Sequence, residues 1–310
     1  MNSWRQGGWS AVQLTYAVML AILVPALLYL YFTYSYGGEH IAAQAFIYPQ
    51  GYEPAAQCSE RSGTLADHQR LATSKNIDFN VTTPANYRAD FPHALLMVWA
   101  PSGFSDKLAE RFTGLTGAAT GQGYIVVHVA SVALGIRSLA ELGTIPEQVM
   151  ATWCIAKDQV YYTGHSDGGT VSNALAVLEE RSIAPAAIAP SAMGMQGVDM
   201  EAYQCPAPTN VMLMHNKGDG HFPDYGTQVA SWWAQCNQCG EPSPAPSHPG
   251  CIEYASCKDD VRTLFCEAEG NHGYWPGFHH NVLGFFAERD AYVSPSNKIK
   301  NNEQAADSKP

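Results

Sequence analysis

The segment 159–169 constrains this chain more than any other. An apolar run, Gln159 to Thr163, leads without a spacer into Gly164-His165-Ser166-Asp167-Gly168-Gly169, and a helix-compatible run begins at Thr170. A buried strand that reverses into a helix within so few residues must turn sharply, and glycine is the residue that tolerates such close backbone approach. The turn lifts the Ser166 hydroxyl above the sheet at the N-terminus of the next helix. There, backbone N–H groups and the helix dipole stabilise a developing oxyanion. Gly-x-Ser-x-Gly by itself is a common string, and an ordinary Gly-rich turn is the alternative. Between a buried strand and a helix it is the setting of a nucleophile.

Further short apolar runs have the same character, at 94–100, 124–129, 186–190, 210–215 and 261–268. Continuous apolar runs of this length are expected of strands buried on both faces of a parallel sheet. Helical spacing recurs at 108–121, 170–181 and 228–237. Strand and helix therefore alternate, which predicts an α/β fold with a doubly wound, mostly parallel sheet. In the segment 240–250, Pro242, Pro244, Pro246 and Pro249 exclude a helix or a central strand and predict a surface loop.

A serine hydroxyl becomes nucleophilic when a base takes its proton and a carboxylate orients that base. In this architecture the chain order is serine, acid, histidine. The run 210–215 ends in Asn216-Lys217-Gly218-Asp219, which puts Asp219 at the carboxyl end of a strand, where active sites of open α/β sheets collect. Asp219 is the expected acid, with Asp224 in reserve. The chain has 11 histidines, so position has to choose among them. His272 follows the last expected strand and is the expected base, with His279 and His280 as nearby alternatives.

Three segments together, Gly164 to Gly169, Met212 to Asp219 and Gly270 to Gly277, resemble the polyhydroxybutyrate depolymerase and feruloyl esterase group of α/β-hydrolases. The similarity runs from about Leu95 to Gly277. The resemblance implies an α/β-hydrolase fold and carboxylic-ester hydrolysis, with Asp219 as the triad acid in a His-Gly-x-x-Asp motif and His272 as the base in a Gly-Gly-His-x-Trp-Pro-Gly motif. The chain departs from the pattern in three places. His215-Asn216 replaces His-Gly, an extra residue separates His272 from Trp275, and Ala100-Pro101-Ser102-Gly103-Phe104 stands where the family has a His-Gly-x-x-Gly oxyanion loop. The Asp167 N–H is one expected oxyanion donor. Pro101 has no N–H, so the second falls to Ser102 or Gly103, with Ser102 preferred. Trp275 and Tyr274 are candidate substrate contacts, alongside Tyr225, Trp232, Trp233 and Phe278, for all of which a place in the core is the competing reading.

The implied reaction is acyl transfer to water through an acyl-enzyme, with no cofactor and no metal. The triad alone would serve amidases too, and a peptidase or acyltransferase differs only in leaving group and acceptor. Polymer depolymerases often carry a separate binding module, for which this chain has no room, so a small or oligomeric ester is the expected substrate. A catalytically silent relative that binds a ligand or scaffolds an envelope complex is the competing class, supported by the altered loop at 100–104.

From Val12 to Tyr36 there is no charged residue, and about 20 apolar residues suffice to cross a bilayer as a helix. Trp4 and Trp9 precede this stretch, and Tyr29, Tyr31, Tyr34 and Tyr36 crowd its far end, as rings do at membrane interfaces. A signal anchor over 12–36 is expected, with residues 1–11 cytoplasmic, on the strength of Arg5 against Glu39; cleavage near Ile41 to Ala45 is the alternative, which would release a secreted protein. A linker over 37–55, a catalytic domain over 56–293 and a disordered tail over 294–310 complete the organisation. The chain has 8 cysteines, six of them between Cys205 and Cys266, as an oxidising compartment would favour. Disulfides are expected, with a zinc site on Cys236, Cys239, Cys251 and Cys257 as the rival. The formal net charge of -11 disfavours nucleic acid and polyanionic partners.

Overall fold

The computed structural model describes residues 11–36, 39–178, 182–245 and 248–293. The residues fall into two units, 1–39 and 40–310. The expected cytoplasmic segment, apart from residue 11, and the tail at 294–310 lie outside the described residues.

In the first unit, helix α1 spans Ala11–Tyr36, with Pro25 inside it. Val12, Val18, Leu20, Ile22, Leu23 and Leu27 are all exposed. Side chains at 11, 14, 29 and 31–36 are outside the described set, and among the described residues no helix is long and apolar enough to cross a membrane. The expectation over 12–36 is thus met as a helix and not as a membrane span.

The second unit is built on a ten-stranded mixed sheet. Its parallel centre consists of β3 (His93–Trp99), β4 (Tyr124–Val129), β5 (Ile155–His165), β6 (Ala187–Ser191), β7 (Asn210–Asn216) and β10 (Thr263–Ala268), in the order β4-β3-β5-β6-β7-β10. These are the strands expected from the apolar runs. One edge is extended by β2 (Asp78–Thr82), antiparallel to β4, and then β1 (Gln69–Ala72). The other is extended by β9 (Cys251–Tyr254), antiparallel to β10, and then β8 (Pro242–Pro244). The proline-rich segment thus contributes the outermost strand, a position where missing N–H groups leave no ladder bond broken.

Side chains alternate across a strand, and β3 shows the result. Leu95, Met97 and Trp99 join one core cluster, while Ala94, Leu96 and Val98 join the other. Helices cover both faces, as a doubly wound sheet requires. The first cluster is completed by α4 (Ile136–Leu142), α5 (Ile145–Thr152), α6 (Asp167–Val177) and α8 (Tyr225–Cys236), through residues such as Val149, Val171 and Trp233. The second is completed by α3 (Thr116–Gly121) and α9 (His279–Val293), through Leu115, Ala119, Leu283 and Phe286. Complete burial of a Leu or Phe side chain contributes about 1.5–3 kcal/mol relative to exposure. The helical run expected over 108–121 is divided into α2 (Asp106–Thr113) and α3, because Gly114 adopts φ 66° and ends α2 in a left-handed cap. The short α7 (Gly197–Met200) lies between β6 and β7.

All eight cysteines pair: Cys58 with Cys154, Cys205 with Cys236, Cys239 with Cys257 and Cys251 with Cys266. The zinc reading of these cysteines falls, because no thiolate remains to ligate a metal.

Residues 40–55 have no regular secondary structure but are tied down. The Gln44 N–H donates to Thr120 Oγ1 at 2.8 Å. Asn86 brackets Phe46, accepting from its N–H and donating to its carbonyl, each at 2.8 Å.

Candidate active site

Ser166, Asp219 and His272 follow the carboxyl ends of β5, β7 and β10, three parallel strands with β6 standing between the first two. Ser166 sits at φ 55°, ψ -118°, a conformation that non-glycine residues rarely adopt. Its N–H donates to the Ser191 carbonyl at 2.9 Å, which ties the turn to β6. The flanking glycines are demanded by backbone. A Cβ on Gly168 would lie 2.0 Å from the Trp99 carbonyl oxygen, one on Gly169 would lie 2.4 Å from the Ser191 oxygen, and one on Gly164 would meet Gly168 at 2.6 Å. Three strand ends therefore converge on this turn with no room for a methyl group.

The His272 ring lies between Ser166 and Asp219. Its Nε2 is 2.9 Å from Ser166 Oγ, and its Nδ1 is 2.8 Å from Asp219 Oδ2. The other carboxylate oxygen of Asp219 accepts the N–H groups of His221 at 2.9 Å and Phe222 at 3.0 Å. Burial of Asp219 works to raise its pKa, but the His272 bond and the two N–H donors outweigh it and hold the carboxyl below its usual range. Asp219 is thus ionised and fixed in place. The reserve acid Asp224 is exposed just before α8, and His279 and His280 open α9; the contacts with Ser166 and Asp219 are made by His272.

Two residues to which the sequence assigned no catalytic or binding role hold the His272 loop. His165, beside Ser166, is 2 % exposed, and burial pushes its ring down to about 4. A neutral imidazole has one N–H, and a carbonyl can only accept. His165 Nε2–H therefore donates to the His272 carbonyl at 2.7 Å, and Nδ1 accepts the Ser191 hydroxyl at 2.9 Å. Asn216, which replaces the glycine of the His-Gly motif, spends both amide hydrogens on the same loop, donating to the Asn271 carbonyl at 2.9 Å and the Tyr274 carbonyl at 2.8 Å. The preceding His215 is buried, 3.7 Å from Asp219 Oδ2, and burial lowers its pKa, which keeps the ring neutral. No pattern of spacing reveals the roles of His165 and Asn216, because their partners are backbone carbonyls dozens of residues away.

Asp167 is the first residue of α6, so its N–H and that of Gly168 have no acceptor within the helix. The loop at 100–104 makes a tight turn in which the Phe104 N–H donates to the Pro101 carbonyl at 3.1 Å and Gly103 takes φ 75°. Ser102 is exposed on this turn, and Ala100 just before the turn lies against Gly168. The aromatic expectations divide. Trp233 is fully buried, with its indole N–H on Asn173 Oδ1 at 2.8 Å, so it belongs to the core. Tyr274 is exposed and Trp275 half-buried, with the Trp275 ring 6.3 Å from His165 and 6.5 Å from Phe112. Phe222 stands edge-on to the His272 ring at 4.9 Å and was not anticipated.

No family model matches the chain, and no curated protein does. Among solved structures it is similar to an acetyl xylan esterase from Aspergillus awamori, at 12% identity over 71% of this chain and 98% of that one, with a TM-score of 0.54. It is also similar to esterase 2 of Thermogutta terrifontis phosphonylated by cyclosarin, at 12% identity over 74% of this chain and 93% of that one, with a TM-score of 0.50. The fold is that of the α/β-hydrolases. At such identities the likeness establishes architecture, and the chemistry has to be argued from the residues of this chain.

Proposed function

We propose that this α/β-hydrolase-fold protein is a serine carboxylic-ester hydrolase related to the polyhydroxybutyrate depolymerase and feruloyl esterase group. The observation that carries the proposal is the unbroken chain of contacts Ser166 Oγ, His272 Nε2, His272 Nδ1, Asp219 Oδ2, with each link at 2.9 Å or less. His272 takes the proton of Ser166 as the hydroxyl oxygen attacks the ester carbonyl carbon. Asp219 fixes the tautomer that presents a bare Nε2 and stabilises the imidazolium that forms. The N–H of Asp167, and that of Ser102 on the opposing turn, receive the oxyanion. His272 then returns the proton to the departing alcohol, and water releases the acyl group by the same steps in reverse. None of these steps draws on a cofactor.

A small or oligomeric ester suits the site, with Tyr274 and Trp275 beside the base as substrate contacts. The esterases among the solved structures of similar fold favour the same substrate class. Four disulfides favour a compartment outside the cytoplasm. Residues 56–293 form the proposed catalytic domain, and a formal net charge of -11 disfavours a nucleic-acid partner.

The test is to express the full chain in an oxidising compartment and treat it with a fluorophosphonate probe while following p-nitrophenyl acetate hydrolysis, beside Ser166→Ala and His272→Ala. Labelling and turnover are expected in the wild type, with both absent in Ser166→Ala. A folded wild type that neither labels nor turns over overturns the proposal in favour of a ligand-binding relative.

A further inference from the structure

Well apart in sequence from the candidate triad, three side chains from separate segments converge on one point. His40 Nδ1 lies 2.6 Å from Glu110 Oε2, and His68 Nε2 lies 2.7 Å from Glu110 Oε1. The donor atoms of all three lie within 4.8 Å of one another. The Glu110 side chain is completely buried, and its contacts are these two rings and the Thr116 hydroxyl at 2.9 Å. A buried carboxylate held without an Arg or Lys needs positive charge from another source.

The His68 ring shows what that source must be. Its Nδ1 faces Asp67 Oδ1 at 2.7 Å while its Nε2 faces Glu110. A neutral imidazole has one N–H, so one lone pair would point into a carboxylate oxygen at contact distance. A cation has to stand between ring and carboxylate, either a second proton or a metal ion. A second proton on His68 does this for one ring, while His40, stacked on it with centroids 3.9 Å apart, stays neutral and donates through Nδ1. One divalent ion serves both neutral rings and the carboxylate at once.

We infer that His40, His68 and Glu110 bind a divalent transition-metal cation of the zinc type. Two imidazole nitrogens and a carboxylate are a donor set that such ions accept. With bonds of about 2.0–2.1 Å, ligand atoms around a tetrahedral ion stand roughly 3.3 Å apart, so the two Glu110 contacts, at 2.6 and 2.7 Å, open by less than 1 Å to admit it, within a cluster whose donor atoms span at most 4.8 Å. Asp67 behind His68 is the carboxylate–histidine arrangement that orients a metal-bound ring. His128 on β4 is fully buried and has no hydrogen-bond partner at either ring nitrogen. The ion clips residue 40 to α2 and to the loop before β1. The inference is independent of the esterase reading, since no triad residue takes part.

The test titrates Zn2+ alone into the chelator-treated full chain by calorimetry near neutral pH, beside His40→Ala, His68→Ala and Asp67→Asn, with Ser166→Ala as a control. One equivalent is expected to bind with micromolar affinity or better in the wild type and in Ser166→Ala. Binding is expected to be lost in the two histidine variants and weakened by about 10–100-fold in Asp67→Asn. His40 is exposed, so His40→Ala is expected to keep its far-ultraviolet circular dichroism, which separates loss of a ligand from loss of the fold. A folded wild type that takes up no Zn2+, or uptake that survives both histidine substitutions, overturns the inference and leaves a proton-bridged clasp.

Discussion

His165 Nε2 donates to the backbone carbonyl of His272 across a sequence separation of 107 residues. The neighbour of the proposed nucleophile therefore holds the main chain of the proposed base, and the spacing between Ser166 and His272 is set by a side chain that touches neither Ser166 Oγ nor His272 Nε2. Replacing His165 with Ala is expected to let the loop drift. Since a shift of about 1 Å can reduce catalysis by about 100-fold, kcat is expected to fall by about 10–100-fold with KM much less affected. A steady-state comparison of kcat and KM for p-nitrophenyl acetate checks this; unchanged kcat would mean that the loop is held without His165.

The same ring gives a pH dependence of stability. Burial depresses the folded pKa of His165 to about 4, below the unfolded value near 6.5. The unfolded chain then binds more protons than the native one between these values, so stability falls as pH drops through that window. The full contribution is roughly 3 kcal/mol by pH 4. Urea unfolding at several pH values is expected to show a smaller acid loss in His165→Gln than in the wild type, because glutamine does not titrate.

Asn216 makes a separate prediction. Ala in its place removes the hydrogen bonds to the Asn271 and Tyr274 carbonyls, each of which contributes about 0.5–1.5 kcal/mol. Asn216→Ala is expected to lose about 1–3 kcal/mol in denaturant unfolding and to slow fluorophosphonate labelling. Equal stability would show that other groups hold the loop.

Two glycines near the site are expected to respond oppositely to the same substitution. Gly168→Ala drives a methyl group to 2.0 Å from the Trp99 carbonyl oxygen, which is part of the sheet and cannot yield. No soluble folded protein is expected. A Cβ at Gly103 meets nothing within 4 Å, so Gly103→Ala bears only the strain of φ 75°, about 1 kcal/mol. Expression and melting curves of the pair decide the matter.

The Cys58–Cys154 bridge closes a loop with a sequence separation of 96. In the chain-entropy account, a loop of about 100 residues stabilises by about 4.7 kcal/mol. Cys58→Ala with Cys154→Ala is therefore expected to lose more stability than loss of the Cys251–Cys266 bridge, whose separation is 15. Denaturant midpoints of the two double variants test the order.

The parallel centre of the sheet was legible in the sequence because strands buried on both faces must be apolar throughout, and the meeting of Ser166, Asp219 and His272 could be anticipated by asking which residues follow those strands. The edge strands were not legible. β1 is exposed at three of its four positions, and β8 is a three-residue strand containing two prolines, so neither carries an apolar signal. The break at Gly114 was readable in principle, since glycine inside a helical run is a common left-handed cap. The cysteine pairing was not, because eight cysteines allow 105 connectivities. His165 and Asn216 escaped for another reason: a side chain that serves a distant carbonyl leaves no periodic trace.

The strand at which the sheet stops has a consequence for how molecules meet. In β8 only Ser243 has a backbone N–H, because Pro242 and Pro244 have none. An exposed edge normally invites a second chain to continue the ladder, which is how sheets polymerise. A neighbour approaching β8 finds almost no donors to pair with, so copies crowded together can share a surface without growing a common sheet from that side.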